Sequence, residues 1–388
     1  MKTPAPFRRI RLGTVATALS LLLVAAGCSG GETGESGETT TGSSEIDADV
    51  QAAFDDVVQQ EMPDVDIALV QAAKEEGALT VYHSTSDGDS AVIAAFREDF
   101  PFITVEEVED TVSPLLERFA SESEAGRHIA DVITSTEMSF VDPLIEAGFV
   151  AEYVPTSDSS FPDDAKQTGL AYPGAVNAQA VGWNTDVVSD EEAEVLRTWE
   201  GLNDPSLRDY QWGLFDATDP AGLTLKAVYA QYQLMGTDFW DAIAPSQPSL
   251  YTSGSQAISA LVAGEDDIYA QTTVRQFEGE RVAGAPIHYV VPEPMIIAPT
   301  AQFISANAPN PNAARLYQEW ALTPRAGAIW LEHGAFTLLP GVEDPRPIAQ
   351  ESWYIGIEGR EVFPIDDEQF EAEWPDVMAA WSESILGP

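Results

Sequence analysis

Residues 79–136 read LTVYHSTSDGDSAVIAAFREDFPFITVEEVEDTVSPLLERFASESEAGRHIADVITST. LTVYHSTS is an apolar strand that runs into hydroxyls. SAVIAAFREDF carries its apolar residues at helical spacing and stops at Pro101. ITVEEVE alternates as a strand. Ser113 at a cap position and Pro114 in the first turn open a further helix, SPLLERFASESEAG. HIADVITST closes the stretch as a second buried strand that again ends in hydroxyls. Strands and helices alternating in this way predict an α/β class with an open, mostly parallel sheet.

The pattern continues outward. Residues 48–76 read as helix with a break at Pro63, and the second part ends at Gly77 with Ile67, Val70 and Ala73 on one face. Downstream, QAVGWNTDVV is a strand with a polar exit, and DPAGLTLKAVYAQYQLMG is a helix with Pro220 in its first turn. TSGSQAISALVAG is a helix that Ser253 and Gln256 open as a capping box and Gly264 ends. DIYAQ and PIHYVVPEPMIIA are extended, and RLYQEWAL and RAGAIWLEHG are helices. No repeat of 20 to 50 residues points to a solenoid.

The chain has 388 residues, 44% of them hydrophobic, enough for two domains or two lobes with a sizeable core. Its net charge of −46 makes nucleic acid and an anionic membrane surface poor partners. The acidity fits a strongly solvated surface or an adaptation to salt. Residues 1–27 pair a short basic start (Lys2, Arg8, Arg9, Arg11) with the apolar run TVATALSLLLVAAG, the layout of a secretory signal peptide. Arg8-Arg9 leaves general and twin-arginine export both open. LVAAGC, ending in Cys28, resembles the lipobox of bacterial lipoproteins, which implies lipidation at Cys28 and an extracytoplasmic, membrane-anchored protein. Removing the signal leaves 14 basic against 64 acidic residues, a net of −50. Cys28 is the only cysteine, so the exported part has no internal disulfide. Residues 28–47 form a flexible acidic tether and 48–65 a helical extension.

Ligands of open α/β sheets bind at the carboxyl ends of strands, where loops and helix N-termini converge. That rule selects Ser84, Thr85 and Ser86; Thr134, Ser135 and Thr136; Thr218 to Gly222, including Ala221; Ser253 to Ser255; and Thr272, Thr273 and Arg275. These are hydroxyls and helix-start amides, which suit anions, and Arg275 adds a fork of donors. Each hydroxyl also fits an ordinary helix cap, and Arg275 has Glu278 and Glu280 near it in sequence. His83, Glu137 and Tyr172 are further candidates; Trp183 reads as core. The four histidines show no metal-ligand spacing. G-x-S-x-G falls only at GCSGG (27–31), across the lipobox and outside any strand-turn-helix context, and there is no H-E-x-x-H or P-loop, so no catalytic residue is assigned and no enzyme is expected.

AAKEEGALTVYHSTS, IADVITST, AVGWNTDVV, TWEGLNDPSL, SGSQAISALVAGEDDI and SANAPNPNAARLYQEWAL, in this order, resemble landmarks of extracellular solute-binding proteins of ABC importers. The branch is the ferric-iron-binding type, which also includes binders of phosphonates and phosphate esters. The resemblance spans residues 65 to 340. It implies a two-lobed type 2 periplasmic-binding-protein fold. Lobe 1 would come from 66–176 and 299–388, with the stretch after 340 an extension that packs back on it or covers the cleft mouth. Lobe 2 would be 185–287, with hinge strands at 177–184 and 288–298. It also implies a permease and an ATPase as partners, a small-molecule solute and a monomer, with no cofactor. Ferric-binding members carry two adjacent tyrosines after G-E-x-x-[IL]; here those positions hold Val274 and Arg275, and Tyr269 falls too early. The departure favours an oxyanion-bearing solute (phosphate ester, phosphonate or carboxylate) over iron, with no metal assigned. A zwitterionic or cationic solute, which so acidic a body would steer better, ferric iron and a secreted hydrolase remain the alternatives.

Overall fold

A computed structural model describes residues 46–84, 87–136, 138–218, 222–354, 356–357 and 359–387. The expected signal peptide, Cys28 and nearly all of the expected tether lie outside the described residues. Two short helices, α1 (Ala48–Ala53) and α2 (Gln59–Glu61), flank a π turn and lead into α3 (Ile67–Glu76). Asp66 caps α3 by accepting from the Ala68 N–H at 2.8 Å. Gly77 ends it at φ 67°, a left-handed conformation open to glycine without steric cost.

The stretch quoted above folds as β1 (Ala78–Ser84), α4 (Asp87–Asp99), β2 (Thr104–Asp110), α5 (Val112–Glu124) and β3 (Val132–Ser135). β1 runs parallel to both β2 and β3, and its last four residues are all buried. The cap of α5 is Thr111 rather than Ser113, and no side chain bonds there. After α6 (Asp142–Glu146), β4 (Ala171–Tyr172) forms the far edge of this sheet.

The chain then builds a second sheet. Its elements are β5 (Val176–Asn184), β6 (Trp212–Phe215), α7 (Gly222–Met235), α8 (Asp238–Ile243), β7 (Ser249–Tyr251), α9 (Gly254–Ala263), β8 (Ile268–Thr273), α10 (Val274–Val282), β9 (Ile287–Val290) and β10 (Ile297–Pro299). The order is β10-β5-β8-β6-β7, with β9 also on β5. β11 (Ala301–Ile304) returns to the first sheet between β3 and β4, and α11 (Pro311–Ala321) and α12 (Pro324–Glu332) cover that lobe. Parallel pairing is confined to the βαβ units; the strands that carry the chain between sheets pair antiparallel.

Residues 177–184 lie wholly within the second sheet. The chain passes between sheets at 173–175 and again at 300, just outside the crossings expected from sequence. Thr300 stitches the two passages: its N–H and hydroxyl both donate to the Ala175 carbonyl, and its Oγ1 accepts from the Ala175 N–H.

The C-terminal extension departs from expectation. It packs on the second lobe, not the first. Phe336 exchanges both backbone hydrogen bonds with Val176, at 2.7 and 2.9 Å, so the chain crosses a third time. Trp353 then stacks on His288 with centroids 4.0 Å apart. The last helix, α13 (Asp367–Leu386), buries Val377 and Trp381 in the second-lobe core with Trp212 and Trp240. Glu373 accepts from the Tyr229 hydroxyl at 2.9 Å and the Gln233 amide at 2.8 Å, which fixes α13 against α7. Among the described residues no helix is long and apolar enough to cross a membrane.

Trp381 is fully buried, so Trp381→Ala should cost about 3–5 kcal/mol in a denaturant titration. A loss below about 1 kcal/mol would show that α13 does not complete the second-lobe core.

Candidate functional site

The carboxyl ends of β1 and β3 meet the two passages and the start of α10 around a small cavity of about 20 Å³. Ser84, Thr134, Ser135 and Thr136 line it from the first lobe. Arg275 enters from the first turn of α10. Gly174, Ala175 and Thr300 come from the passages, Asn177 from the start of β5, and Ala301 and Gln302 from β11. Asp89, Trp330 and Ala335 complete the wall.

Five of the residues selected from sequence therefore come together: Ser84, Thr134, Ser135, Thr136 and Arg275. Thr85, Ser86, Glu137 and Ala221 lie outside the described residues. Gly222 opens α7. Ser253 and Ser255 do not line this cavity. Ser253 starts α9 with no side-chain cap bond, so the expected capping box does not form. Thr272 turns its hydroxyl to the Gln276 amide oxygen, and Thr273 precedes α10 without capping it by its side chain.

His83 and Tyr172 are internal to the first lobe. The His83 Nε2 sits 3.2 Å from Glu107, which also pairs with Arg97. The Tyr172 hydroxyl donates to Asp158 and accepts from the Gly169 N–H, both at 2.8 Å, and burial pushes its pKa up to about 12. Tyr269 and Val274 are fully buried in the core at the root of α10. Among the described residues no group of three or more His, Cys, Asp or Glu is placed to share a metal ion.

Sequence reasoning missed Asp89, Asn177, Thr300, Gln302 and Trp330. Asp89 lies in the first turn of α4, where its carboxylate accepts the Thr134 hydroxyl at 3.1 Å. Asn177 and Gln302 are polar interruptions inside apolar strands, which was the available signal.

Arg275 owes its position to α10. The ring of Phe277 lies where a Cβ on Gly182 would stand, so a glycine in β5 lets the helix seat closely. Gly334, at φ 74°, brings the end of α12 against the Arg275 backbone; a Cβ there would lie 2.8 Å from the Arg275 Cα. One turn on, Glu278 is 3% exposed. It accepts a fork from Arg281, with both contacts at 2.8 Å, and the Tyr289 hydroxyl at 3.1 Å. Arg281 is thus the forked partner of Glu278. Arg346, from the C-terminal extension, lies 3.8 Å from Glu278 and forks onto Asp344 at 2.8 and 2.6 Å. Burial pushes the Tyr289 and Tyr354 hydroxyls far above their ordinary range, so both stay protonated donors.

Burial raises the Asp344 carboxyl, but hydrogen bonds from Arg346 and Tyr354 and the Arg346 charge bring it below the ordinary value. A depressed folded-state pKa adds stability that is present above the unfolded value, about 3.9, and lost as pH falls through the folded one. Wild type should therefore exceed Asp344→Asn in stability above about pH 4. The gap should close on further acidification. A gap that widens below pH 4 would contradict this.

A family model described as bacterial extracellular solute-binding protein matches residues 90–335. Compared by sequence with curated proteins, the chain has no match. Among solved structures it is similar to iron-bound HitA from Pseudomonas aeruginosa, with a TM-score of 0.60 at 16% identity, covering 79% of this chain and 99% of that one. It is also similar to AfuA from Actinobacillus pleuropneumoniae with exogenous fructose-6-phosphate bound, with a TM-score of 0.55 at 19% identity, covering 80% and 99%. The ferric binding protein of Campylobacter jejuni gives 0.58 at 15% identity, covering 79% and 99%. The shared architecture is the two-lobed α/β fold of type 2 periplasmic binding proteins.

Proposed function

The chain belongs to the bacterial extracellular solute-binding protein family, and on that premise we propose that it captures a small oxyanion-bearing solute between its lobes. The solute class is a phosphate ester, a phosphonate or a carboxylate. The observation that carries the reading is Arg275, in the first turn of α10, lining one cavity with Ser84, Thr134, Ser135 and Thr136. A guanidinium beside hydroxyl donors at a helix start binds an oxyanion through charge-assisted hydrogen bonds. The lobes hinge about the three passages, at 173–175, at 300 and before Phe336, and closure brings Arg275 of the second lobe to the hydroxyls of the first.

A body at −50 repels anions at long range, but screening confines that field to about 8 Å at physiological salt. Donors at contact distance then decide binding, and a solute that also carries a cationic group is drawn in more readily. Lipid on Cys28 keeps the chain at the outer face of the cytoplasmic membrane. Transport energy comes from a permease and an ATPase that read the closed form. Iron(III) would need hard anionic oxygens, and the positions of the paired tyrosines hold buried Val274 and cationic Arg275. The two AfuA and HitA structures, with fructose-6-phosphate and iron respectively, make both chemistries worth including in one panel.

Thermal unfolding of the exported chain should be measured with phosphate esters, phosphonates, carboxylates, polyamines, sugars and ferric citrate. A ligand at a hundred times its dissociation constant adds about 2.7 kcal/mol. The expected result is stabilisation by an oxyanion and at least about tenfold weaker binding in Arg275→Ala, the scale of one lost charge-assisted hydrogen bond. Unchanged affinity in Arg275→Ala, or stabilisation by ferric salts alone, would overturn the reading.

A further inference from the structure

We infer that Gln302 is a further specificity-determining residue of this site, donating its side-chain amide to a second oxygen of the bound oxyanion. The inference rests on the oxyanion reading of the cavity. Gln302 sits on β11 in the middle of the first sheet, paired with Thr134 on β3 and Tyr172 on β4. It lines the same cavity as Arg275 and is 4% exposed. Its Nε2 has no hydrogen-bond partner among the described residues. Around it, Ala301, Phe303 and Ile304 are apolar and buried, as a central strand requires.

A buried amide without a partner destabilises a fold, and an apolar residue of similar volume would remove the penalty. Contacts among the described residues therefore leave the Nε2 donor unsatisfied, whereas a ligand oxygen in the cavity would satisfy it. An N–H donor is satisfied by an acceptor, so in this orientation Nε2 meets a ligand oxygen. Being neutral, it adds direction without adding charge. Arg275 from the second lobe and Gln302 from the first then hold different oxygens of one group, so both contacts form only when the lobes close.

The test compares Gln302→Leu, Gln302→Glu and Arg275→Ala with the wild-type exported chain. Melting temperature is read alone and with inorganic phosphate, methylphosphonate or acetate as probes. Without probe, Gln302→Leu should melt about 2–4 °C higher than wild type, since it removes an unsatisfied buried donor. With probe, its stabilisation should vanish. Gln302→Glu, nearly isosteric but anionic, should also lose the probe response. A fall in melting temperature without probe for Gln302→Leu, together with a retained response in Gln302→Glu, would assign the amide a structural role and overturn the inference. If Gln302→Leu does not fold, the probe response of Gln302→Glu decides alone. Loss of response in Arg275→Ala but not in the Gln302 variants overturns only the role of Gln302. A wild-type protein that responds to none of the three probes fails the oxyanion reading, and the role of Gln302 with it.

Discussion

The buried carboxylate of Glu278 is the contact on which the site depends. A carboxylate at this burial is stable only if its lone pairs are filled and its charge is matched. Arg281 supplies the fork, Tyr289 a hydroxyl, and Arg346 a second cation 3.8 Å away. Arg281 belongs to α10 itself, Tyr289 to β9, and Arg346 to the C-terminal extension. The network thus ties the helix that carries Arg275 to its own sheet and to a late part of the chain. Removing one partner leaves buried charge unmatched, which is the costly way to break such a cluster.

That network explains why the extension lies on the second lobe. Its cations and aromatic rings find partners there: Arg346 lies 3.8 Å from Glu278, and Trp353 stacks on His288. Trp381 then fills a core that Trp212 and Trp240 leave incomplete. The exchange between Phe336 and Val176 places a further strand-like contact beside the first passage. Opening of the lobes must therefore bend three segments rather than two, and the Gly334 contact with Arg275 lies at the third. Small movements there reach the Arg275 backbone directly, because packed backbone atoms have no slack to absorb them.

Much of the first lobe was legible because βα units write their periods and exits plainly. LTVYHS and ADVITS are apolar runs that end in hydroxyls, and those ends are where Ser84, Thr134 and Ser135 meet the cavity. Arg275 was legible for the same reason, standing two residues after β8. Asp89 was hidden because a carboxylate in a first helical turn has an ordinary explanation. Asn177 and Gln302 were hidden because a polar residue within a strand usually marks the solvent face, and only the topology shows that these strands are central or cross between sheets. His83 and Tyr172 have polar tips that find partners inside the lobe, which strand alternation does not reveal. The tryptophans of the extension announced burial but not a partner, since an apolar helix face specifies no address.

The central claim is that an oxyanion sits at Arg275 between the lobes. Crystallographic soaking with arsenate, located by its anomalous scattering, tests it most directly. The account predicts one dominant arsenic peak within hydrogen-bonding range of the Arg275 guanidinium and the Gln302 amide, with the Thr134 to Thr136 segment closing around it. An empty cavity in arsenate-soaked crystals, or a ferric ion held there by oxygens in the absence of any oxyanion, would contradict it.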